Sequence, residues 1–177
     1  MRLFVAIRVP KDALPQIQRV SAPLEGALGV KMTKPENLHI TLRFIGEVET
    51  QQAERIAEAL NRIEFEPFEV KLFLAGAFPN RHFPRAIWIG GSSQEASQLA
   101  SKIDSVLSFL KLPQEEFRLH LTVARAPKSA ADIDDFLNQP PFCISFPVDA
   151  FFLIRSRLTP EGPIYEDIKK YSANKPA

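Results

Sequence analysis

Two short stretches of the chain repeat the same alternation of apolar and polar residues. Residues 38–42 read Leu-His-Ile-Thr-Leu, and residues 119–123 read Leu-His-Leu-Thr-Val. Successive side chains of a β-strand point to opposite faces, so in each stretch the histidine and the threonine share one face. Each stretch is therefore predicted to form a strand with an aliphatic face for the core and a polar face carrying one imidazole and one hydroxyl.

The two stretches divide the chain near its middle. His39 and His120 are 81 positions apart in a chain of 177 residues, and they are two of its three histidines. A lone histidine on a strand is usually a surface residue or a hydrogen-bonded one. Two copies in matched aliphatic frames instead favour a functional pair, and their spacing predicts two similar halves that each contribute one His-x-Thr strand to a shared site.

Hydrophobic periodicity predicts that helices and strands alternate along the whole chain. Strands are predicted at residues 3–9, 38–45, 65–78, 85–90, 117–124, 142–154 and 164–171. Helices are predicted at residues 11–28, 49–63, 92–110 and 129–137, the last with Ser129 as its cap. Pro147 predicts an edge or a bulge within its run.

Several of these strands have one polar face, as antiparallel strands commonly do. We therefore expect an α+β fold in which residues 1–177 form a single bilobal domain. Its two halves are expected to be pseudo-two-fold duplicates. Two mostly antiparallel sheets would then face each other across a central groove lined by the motif strands, with helices outside.

Composition limits the partners and the environment of the chain. It is 45% hydrophobic and 24% charged, with a formal net charge of +1, which excludes the global basic field of a bulk nucleic-acid coat protein. No apolar run approaches the roughly 20 residues of a membrane helix, and the N-terminal run is too short for a signal peptide. We expect a cytoplasmic protein with no membrane partner. A groove made within one chain predicts a monomer. Cys143 lies in an apolar run and is expected to be buried.

The two polar faces carry the groups that a phosphodiester-cleaving site needs. One imidazole can take a proton from an attacking water while the other gives a proton to the leaving oxygen, which accelerates a reaction by ~10²–10⁴-fold. The hydroxyls of Thr41 and Thr122, roughly 7 Å along each strand, can donate hydrogen bonds to the non-bridging oxygens. Neither histidine stands in a cluster of His, Cys or Asp, so no metal and no cofactor are expected.

The residues around both motifs resemble the two signatures of the two-histidine (2H) phosphoesterases. Residues 39–47 read His-Ile-Thr-Leu-Arg-Phe-Ile-Gly-Glu, and residues 120–125 read His-Leu-Thr-Val-Ala-Arg. The resemblance is to the branch of bacterial and archaeal RNA 2′,3′-cyclic phosphodiesterases, also named 2′-5′ RNA ligases. It extends over nearly the whole chain, through residues 2–7, 78–88 and 156–165.

This resemblance implies that the protein hydrolyses a 2′,3′-cyclic phosphate on RNA to a 2′-phosphomonoester. It also implies a second activity, the reversible joining of RNA ends through a 2′-5′ linkage. The implied partners are RNA with a cyclic phosphate end or tRNA halves. In the family the first histidine is the proton donor and the second the acceptor, which assigns these roles to His39 and His120, although the nearly symmetric sequence does not itself order them.

Three arginines are candidate contacts for the phosphate or the RNA backbone. Arg125 fits the family pattern, but it lies on the face opposite His120 if the strand stays regular. Arg85 precedes an apolar strand and can clamp a phosphate with two parallel hydrogen bonds. Arg43 shares the face of His39 by simple alternation. For each of them, a solvated charge or a surface ion pair is the alternative interpretation.

Two aromatic residues complete the candidate site. Phe4 can stack on a base, although core packing is the ordinary role of phenylalanine in a chain that has 14 of them. Tyr165 either orients a motif or packs. Two other functions stay open as well. One is hydrolysis of a cyclic phosphate on a small nucleotide such as ADP-ribose. The other is binding of RNA ends without turnover, which would not need both acid–base partners.

Overall fold

The computed structural model describes residues 1–126, 131–160 and 162–174 of the chain. Within them the strands are β1 (Arg2–Arg8), β2 (Lys31–Met32), β3 (His39–Glu47), β4 (Phe68–Phe78), β5 (Ala86–Ser92), β6 (His120–Arg125), β7 (Ile144–Val148), β8 (Ala150–Thr159) and β9 (Gly162–Ser172). The helices are α1 (Leu14–Ser21), α2 (Thr50–Leu60), α3 (Gln94–Val106) and α4 (Asp134–Leu137). Helix α4 is shorter than predicted, and the predicted cap Ser129 lies outside the described residues.

The strands form two sheets, and every pair of neighbouring strands is antiparallel. The first sheet has the order β3-β1-β8-β9, and the second has the order β2-β6-β5-β4-β7. If the short strand β2 is set aside, each sheet starts with a motif strand, followed by one neighbour and then two further strands. The α+β fold with two mostly antiparallel sheets is confirmed.

Alternation along β1 separates the core from the site. Leu3, Val5 and Ile7 point into the main buried cluster, which also contains apolar residues of all four helices and of the second sheet. Phe4 and Ala6 point to the opposite face, where they form a second cluster with Ile154 of β8. Strand β1 is therefore buried on both faces, and its second face supports the polar face of β3.

The edge of the second sheet explains one correct and one wrong expectation. Pro147 lies in β7, the outermost strand, as its missing N–H group requires. Cys143 comes immediately before this strand and is exposed, so the expected burial is wrong. Among the described residues, no helix is both long and apolar enough to cross a membrane.

Candidate active site

The two motif strands face each other across the boundary between the sheets. Strands β3 and β6 contact one another. A cleft of about 200 Å³ is lined by Thr41 and Phe44 of the first sheet and by Phe78 and His120 of the second. The charge of His120 is also among those that lower the pKa of His39. The two imidazoles therefore lie within electrostatic reach of each other, and the cleft brings His120 together with Thr41, the neighbour of His39 on its strand face.

Each imidazole forms the same kind of hydrogen bond, from Nδ1 to the backbone carbonyl oxygen two residues earlier. His39 Nδ1 lies 2.6 Å from the carbonyl oxygen of Asn37, and His120 Nδ1 lies 2.8 Å from that of Arg118. A carbonyl oxygen only accepts hydrogen bonds, so Nδ1 carries the proton in each ring. In the neutral rings Nε2 is thus the atom left to exchange a proton with a substrate.

Each imidazole is also supported by two aromatic rings. The ring of His39 lies 4.9 Å from Phe4 and 5.1 Å from Tyr165, the latter edge-on. The ring of His120 lies 5.2 Å from Phe78 and 6.4 Å from Trp88. Phe4 is only 3% exposed, which leaves no ring face for a base. Its predicted base contact is therefore wrong, and its ring instead helps to fix the imidazole of His39.

A β-bulge follows the histidine–threonine pair in both motif strands. The pairing of β3 with β1 skips Leu42, and the pairing of β6 with β5 skips Val123. One extra residue reverses the face to which the following side chains point. Residues 43 and 124 therefore turn towards the core, whereas residues 44 and 125 turn towards the groove.

The bulge in β3 removes Arg43 from the site. The expectation that Arg43 shares the face of His39 is wrong: the side chain is only 6% exposed. Its guanidinium instead contacts Asp104 at 3.1 Å and Glu115 at 3.7 Å and donates to the carbonyl oxygen of Pro113. Arg43 therefore cannot meet an RNA backbone in this arrangement.

The bulge in β6 has the opposite consequence for Arg125. In a regular strand this side chain would point away from His120, but the skipped residue turns it to the groove. Arg125 is exposed, and its charge lowers the pKa of His39 and counteracts the rise that burial causes in the pKa of Tyr165. The arginine therefore lies close to both of these side chains.

The surroundings of His39 disfavour its charged form. Its pKa is lowered from 6.5 to about 4, above all by burial. The hydrogen bond to Asn37 opposes this shift, and the positive charges of Arg8, Arg125 and His120 add to it. At pH 7 the imidazole of His39 is consequently neutral. A bound anion would favour the imidazolium and raise the pKa of His39 again.

Comparisons with known proteins place the chain in a family. A family model described as LigT like Phosphoesterase matches residues 7–88. A protein of Archaeoglobus fulgidus named RNA 2′,3′-cyclic phosphodiesterase is 37% identical over 175 residues, which cover 97% of this chain and 99% of that protein. The chain belongs to the LigT-like phosphoesterases. A protein of the same name from Methanocaldococcus jannaschii is 35% identical to this LigT-like phosphoesterase, over 97% of this chain and 100% of that protein.

Two solved structures have the same fold as this chain. The crystal structure of TT0787 of Thermus thermophilus matches with a TM-score of 0.88 and 27% identity, covering 97% of each chain. The structure of E. coli LigT complexed with 3′-AMP matches with a TM-score of 0.82 and 27% identity, covering 98% of each chain. The resemblance found in the two motifs is confirmed, and this protein is an enzyme of the phosphoesterase class.

The remaining candidate residues of this LigT-like phosphoesterase differ in their placement. Thr41 and Thr122 precede the bulges, so they keep the faces of His39 and His120. Arg85 stands one residue before β5, and alternation puts it on the face of Ile87 rather than on the groove face. Among the described residues, no group of three or more His, Cys, Asp or Glu side chains is arranged to hold a metal ion.

Sequence reasoning missed the residues that support His120. The indole of Trp88 lies over Gly76 of the adjacent strand, where a Cβ atom would stand 2.2 Å from the ring. A Cβ atom at Gly90 would stand 2.8 Å from the same ring. The pattern Trp-x-Gly in β5 was visible in the sequence, and it signals that the indole needs space on its own face of the sheet.

Proposed function

We propose that this LigT-like phosphoesterase hydrolyses the 2′,3′-cyclic phosphate at an RNA end to a 2′-phosphomonoester. The observation that carries the proposal is the matched pair of imidazoles, His39 and His120, each with Nδ1 bonded to a backbone carbonyl and Nε2 left to exchange protons. Hydrolysis of a phosphodiester needs one proton acceptor and one proton donor, and this pair supplies both. The activity for which the relatives are named supports RNA as the substrate class.

In the proposed reaction the phosphorus atom lies between the two histidines. His120 Nε2 takes a proton from water, and the water oxygen attacks phosphorus in line with the 3′-oxygen. The bond from phosphorus to the 3′-oxygen breaks, and His39 Nε2 gives its proton to that oxygen. The products are a 2′-phosphate and a 3′-hydroxyl. The hydroxyls of Thr41 and Thr122 donate hydrogen bonds to the non-bridging oxygens, where negative charge is concentrated.

The lowered pKa of His39 sets a condition for this assignment. A proton donor must be protonated when the reaction starts, and burial keeps His39 neutral at pH 7 in the free enzyme. The negative charge of a bound phosphodiester favours the imidazolium and raises the pKa again. In this proposal His39 therefore gains its proton together with the substrate.

Arg125 is proposed to hold the phosphate or the adjacent RNA backbone. It is exposed, it lies near His39 and Tyr165, and it has no ion-pair partner among the residues that the structure describes. A guanidinium can form two parallel hydrogen bonds with phosphate oxygens. Tyr165 contacts the ring of His39 edge-on, and we assign it an orienting role.

The proposed scheme assigns no step to a metal ion, so we expect activity in the presence of a chelator. Replacing the attacking water by the 5′-hydroxyl of a second RNA end turns the same steps into 2′-5′ joining. RNA ends such as tRNA halves would be the substrates of that reaction. Both activities then depend on the same two histidines.

The test uses an oligonucleotide that ends in a 2′,3′-cyclic phosphate, in buffer containing EDTA. We expect the 2′-phosphomonoester as the product, and a loss of about 10²–10⁴-fold in kcat for His39→Ala and for His120→Ala. Circular dichroism checks that both variants fold. Full activity of either variant contradicts the proposal. Faster turnover of ADP-ribose cyclic phosphate contradicts the RNA assignment, and tight binding without product favours a binding module.

A further inference from the structure

The two halves of the site differ in the residue that pairs with each histidine. In the first sheet Arg8 of β1 is opposite His39, and in the second sheet Gly90 of β5 is opposite His120. Arg8 is held in place: its guanidinium lies 2.6 Å from an Asp167 oxygen and donates to the carbonyl oxygen of Glu36 at 3.0 Å. The space beside His39 is therefore occupied by a charged side chain that is tied down, whereas the space over Gly90, beside His120, is occupied by the indole of Trp88.

That indole and His120 line a groove of about 520 Å³, and we call it the His120-side groove. Its apolar walls are Leu74, Phe78, Trp88 and Phe117, and Gln94 and Ser97 contribute polar groups. This volume is within the range of roughly 300–1,000 Å³ found for small-molecule sites. Aromatic rings at such a site are the usual platform for a nucleobase.

The chemistry of an in-line displacement decides what this groove can hold. This step rests on the proposed function, in which His39 protonates the ribose oxygen and His120 accepts the proton of the attacking group. The attacking and leaving oxygens lie on opposite sides of phosphorus. A group that lies beyond His120 is therefore bonded to the attacking oxygen. A water molecule needs no groove there, but a nucleoside with a 5′-hydroxyl does.

We propose that the His120-side groove binds the nucleoside whose 5′-oxygen attacks the cyclic phosphate. In the joining direction that oxygen bonds to phosphorus and the bond from phosphorus to the 3′-oxygen breaks. The 5′-hydroxyl proton passes to His120, and the proton of His39 passes to the 3′-oxygen. The reverse reaction cleaves a 2′,5′-linked dinucleotide into a cyclic phosphate and a 5′-hydroxyl nucleoside, with no further reactant.

The experiment compares two serine variants of α3. Ser97 lines the groove and Ser105 does not, yet both are exposed, and each hydroxyl donates to the carbonyl oxygen four residues earlier. Ser97→Trp fills the groove, and Ser105→Trp is the matched control. The measured quantities are kcat/KM for cleavage of 2′,5′-linked diadenosine and kcat/KM for hydrolysis of adenosine 2′,3′-cyclic monophosphate.

We expect Ser97→Trp to lower cleavage of the dinucleotide at least about tenfold more than hydrolysis of the mononucleotide, as the loss of one stacked base implies. Ser105→Trp should change the two rates alike. Leu74→Ala is a second variant that should shift the ratio in the same direction. Leu74 is 49% exposed, so its truncation leaves the core intact.

Three results would overturn the groove assignment. They are an unchanged ratio in both groove variants, a wild-type enzyme that hydrolyses the mononucleotide but never cleaves the dinucleotide, and a selective loss on cyclic-phosphate ends that carry an extra 5′ nucleotide. The last result would mean that the groove holds the upstream RNA strand. In all three the hydrolytic function stands. Failure of that function would appear differently, as unchanged hydrolysis after His39→Ala or His120→Ala.

Discussion

Arg43 in β3 and Asp104 in α3 join the strand of the first motif to the second half of the chain, with 3.1 Å between Nε and Oδ1. The same guanidinium contacts Glu115 and the carbonyl oxygen of Pro113. Those two residues belong to the segment that leads into β6. The buried arginine therefore links the strand that carries His39 to the segment that positions His120.

Replacing this arginine should weaken both the fold and the site. Arg43→Met removes the contacts of the guanidinium with Glu115 and Pro113. We expect the free energy of unfolding, measured in urea, to fall by about 1–3 kcal/mol, because hydrogen bonds to charged groups have that magnitude. Arg81 is the matched control: it forms an equally direct ion pair with Asp134, but both side chains are exposed. Arg81→Met should cost under about 1 kcal/mol. Equal stability losses in the two variants would contradict the bridging role.

Arg125 and Arg85 should differ sharply in their effect on catalysis. The bulge turns Arg125 towards the central groove between the two sheets. Arg125→Ala should therefore raise KM for a cyclic-phosphate RNA by about tenfold, which corresponds to the loss of one hydrogen bond to a charged group. Arg85→Ala should change KM by less than about threefold, half of the effect of Arg125→Ala on a logarithmic scale. The reason is that alternation directs this side chain to the other face of β5. Steady-state kinetics of both variants provide the measurement. The reverse order of effects would mean that the phosphate binds at the end of β5.

The same two bulges mark the limit of what the sequence could predict. Alternation placed His39 and Thr41 on one face because aliphatic residues separate them, and the same held for His120 and Thr122. The skipped residues, Leu42 and Val123, are aliphatic and continue that pattern, so nothing in the sequence marks the register shift. The faces of Arg43 and Arg125 were consequently exchanged, although both residues stood in the right strands.

Neighbouring strands account for the other part of the site that sequence reasoning missed. Phe78 and Trp88 reach His120 through the register of β4, β5 and β6, a set of long-range pairings that local composition does not encode. Phe4 was identified, but its burial follows from packing on β8 and β9 and so was not visible in β1 alone.

Stability should fall as the pH drops through the acid range, in part because of His39. The unfolded chain takes up a proton near pH 6.5, whereas the folded protein resists protonation until about pH 4. Between these pH values the unfolded state thus binds more protons than the folded state. The free energy of unfolding falls over this range and is lower by up to about 3 kcal/mol below pH 4. Urea unfolding at pH 7.5 and pH 4.5 tests this. The His39→Asn variant should lose less stability over the same interval, and parallel curves would contradict the assigned pKa.

Binding of an anion should reverse that pKa shift. A phosphate group between the two imidazoles adds a negative charge next to His39, which favours the imidazolium. We expect the pKa of His39, measured by NMR, to rise by at least about one pH unit when 2′-AMP is bound, which is a tenfold change in the equilibrium constant for protonation. Thr41→Val in the presence of the same ligand should show a smaller rise, because one donor to the phosphate is lost. A pKa that stays near its free value would exclude His39 as the proton donor and give that role to His120.

Gly76 should be irreplaceable as long as Trp88 occupies its face of the sheet. A Cβ atom there would stand 2.2 Å from the indole, so Gly76→Ala must displace the ring from its place beside Phe78 and His120. Overpacking of this kind costs about 1–3 kcal/mol. Trp88 is the chain's single tryptophan, so its fluorescence reports the displacement directly. Adding Trp88→Leu should restore most of the lost stability but not the activity, because the support of His120 stays absent. Additive stability losses in the double variant would show that the glycine is needed for another reason.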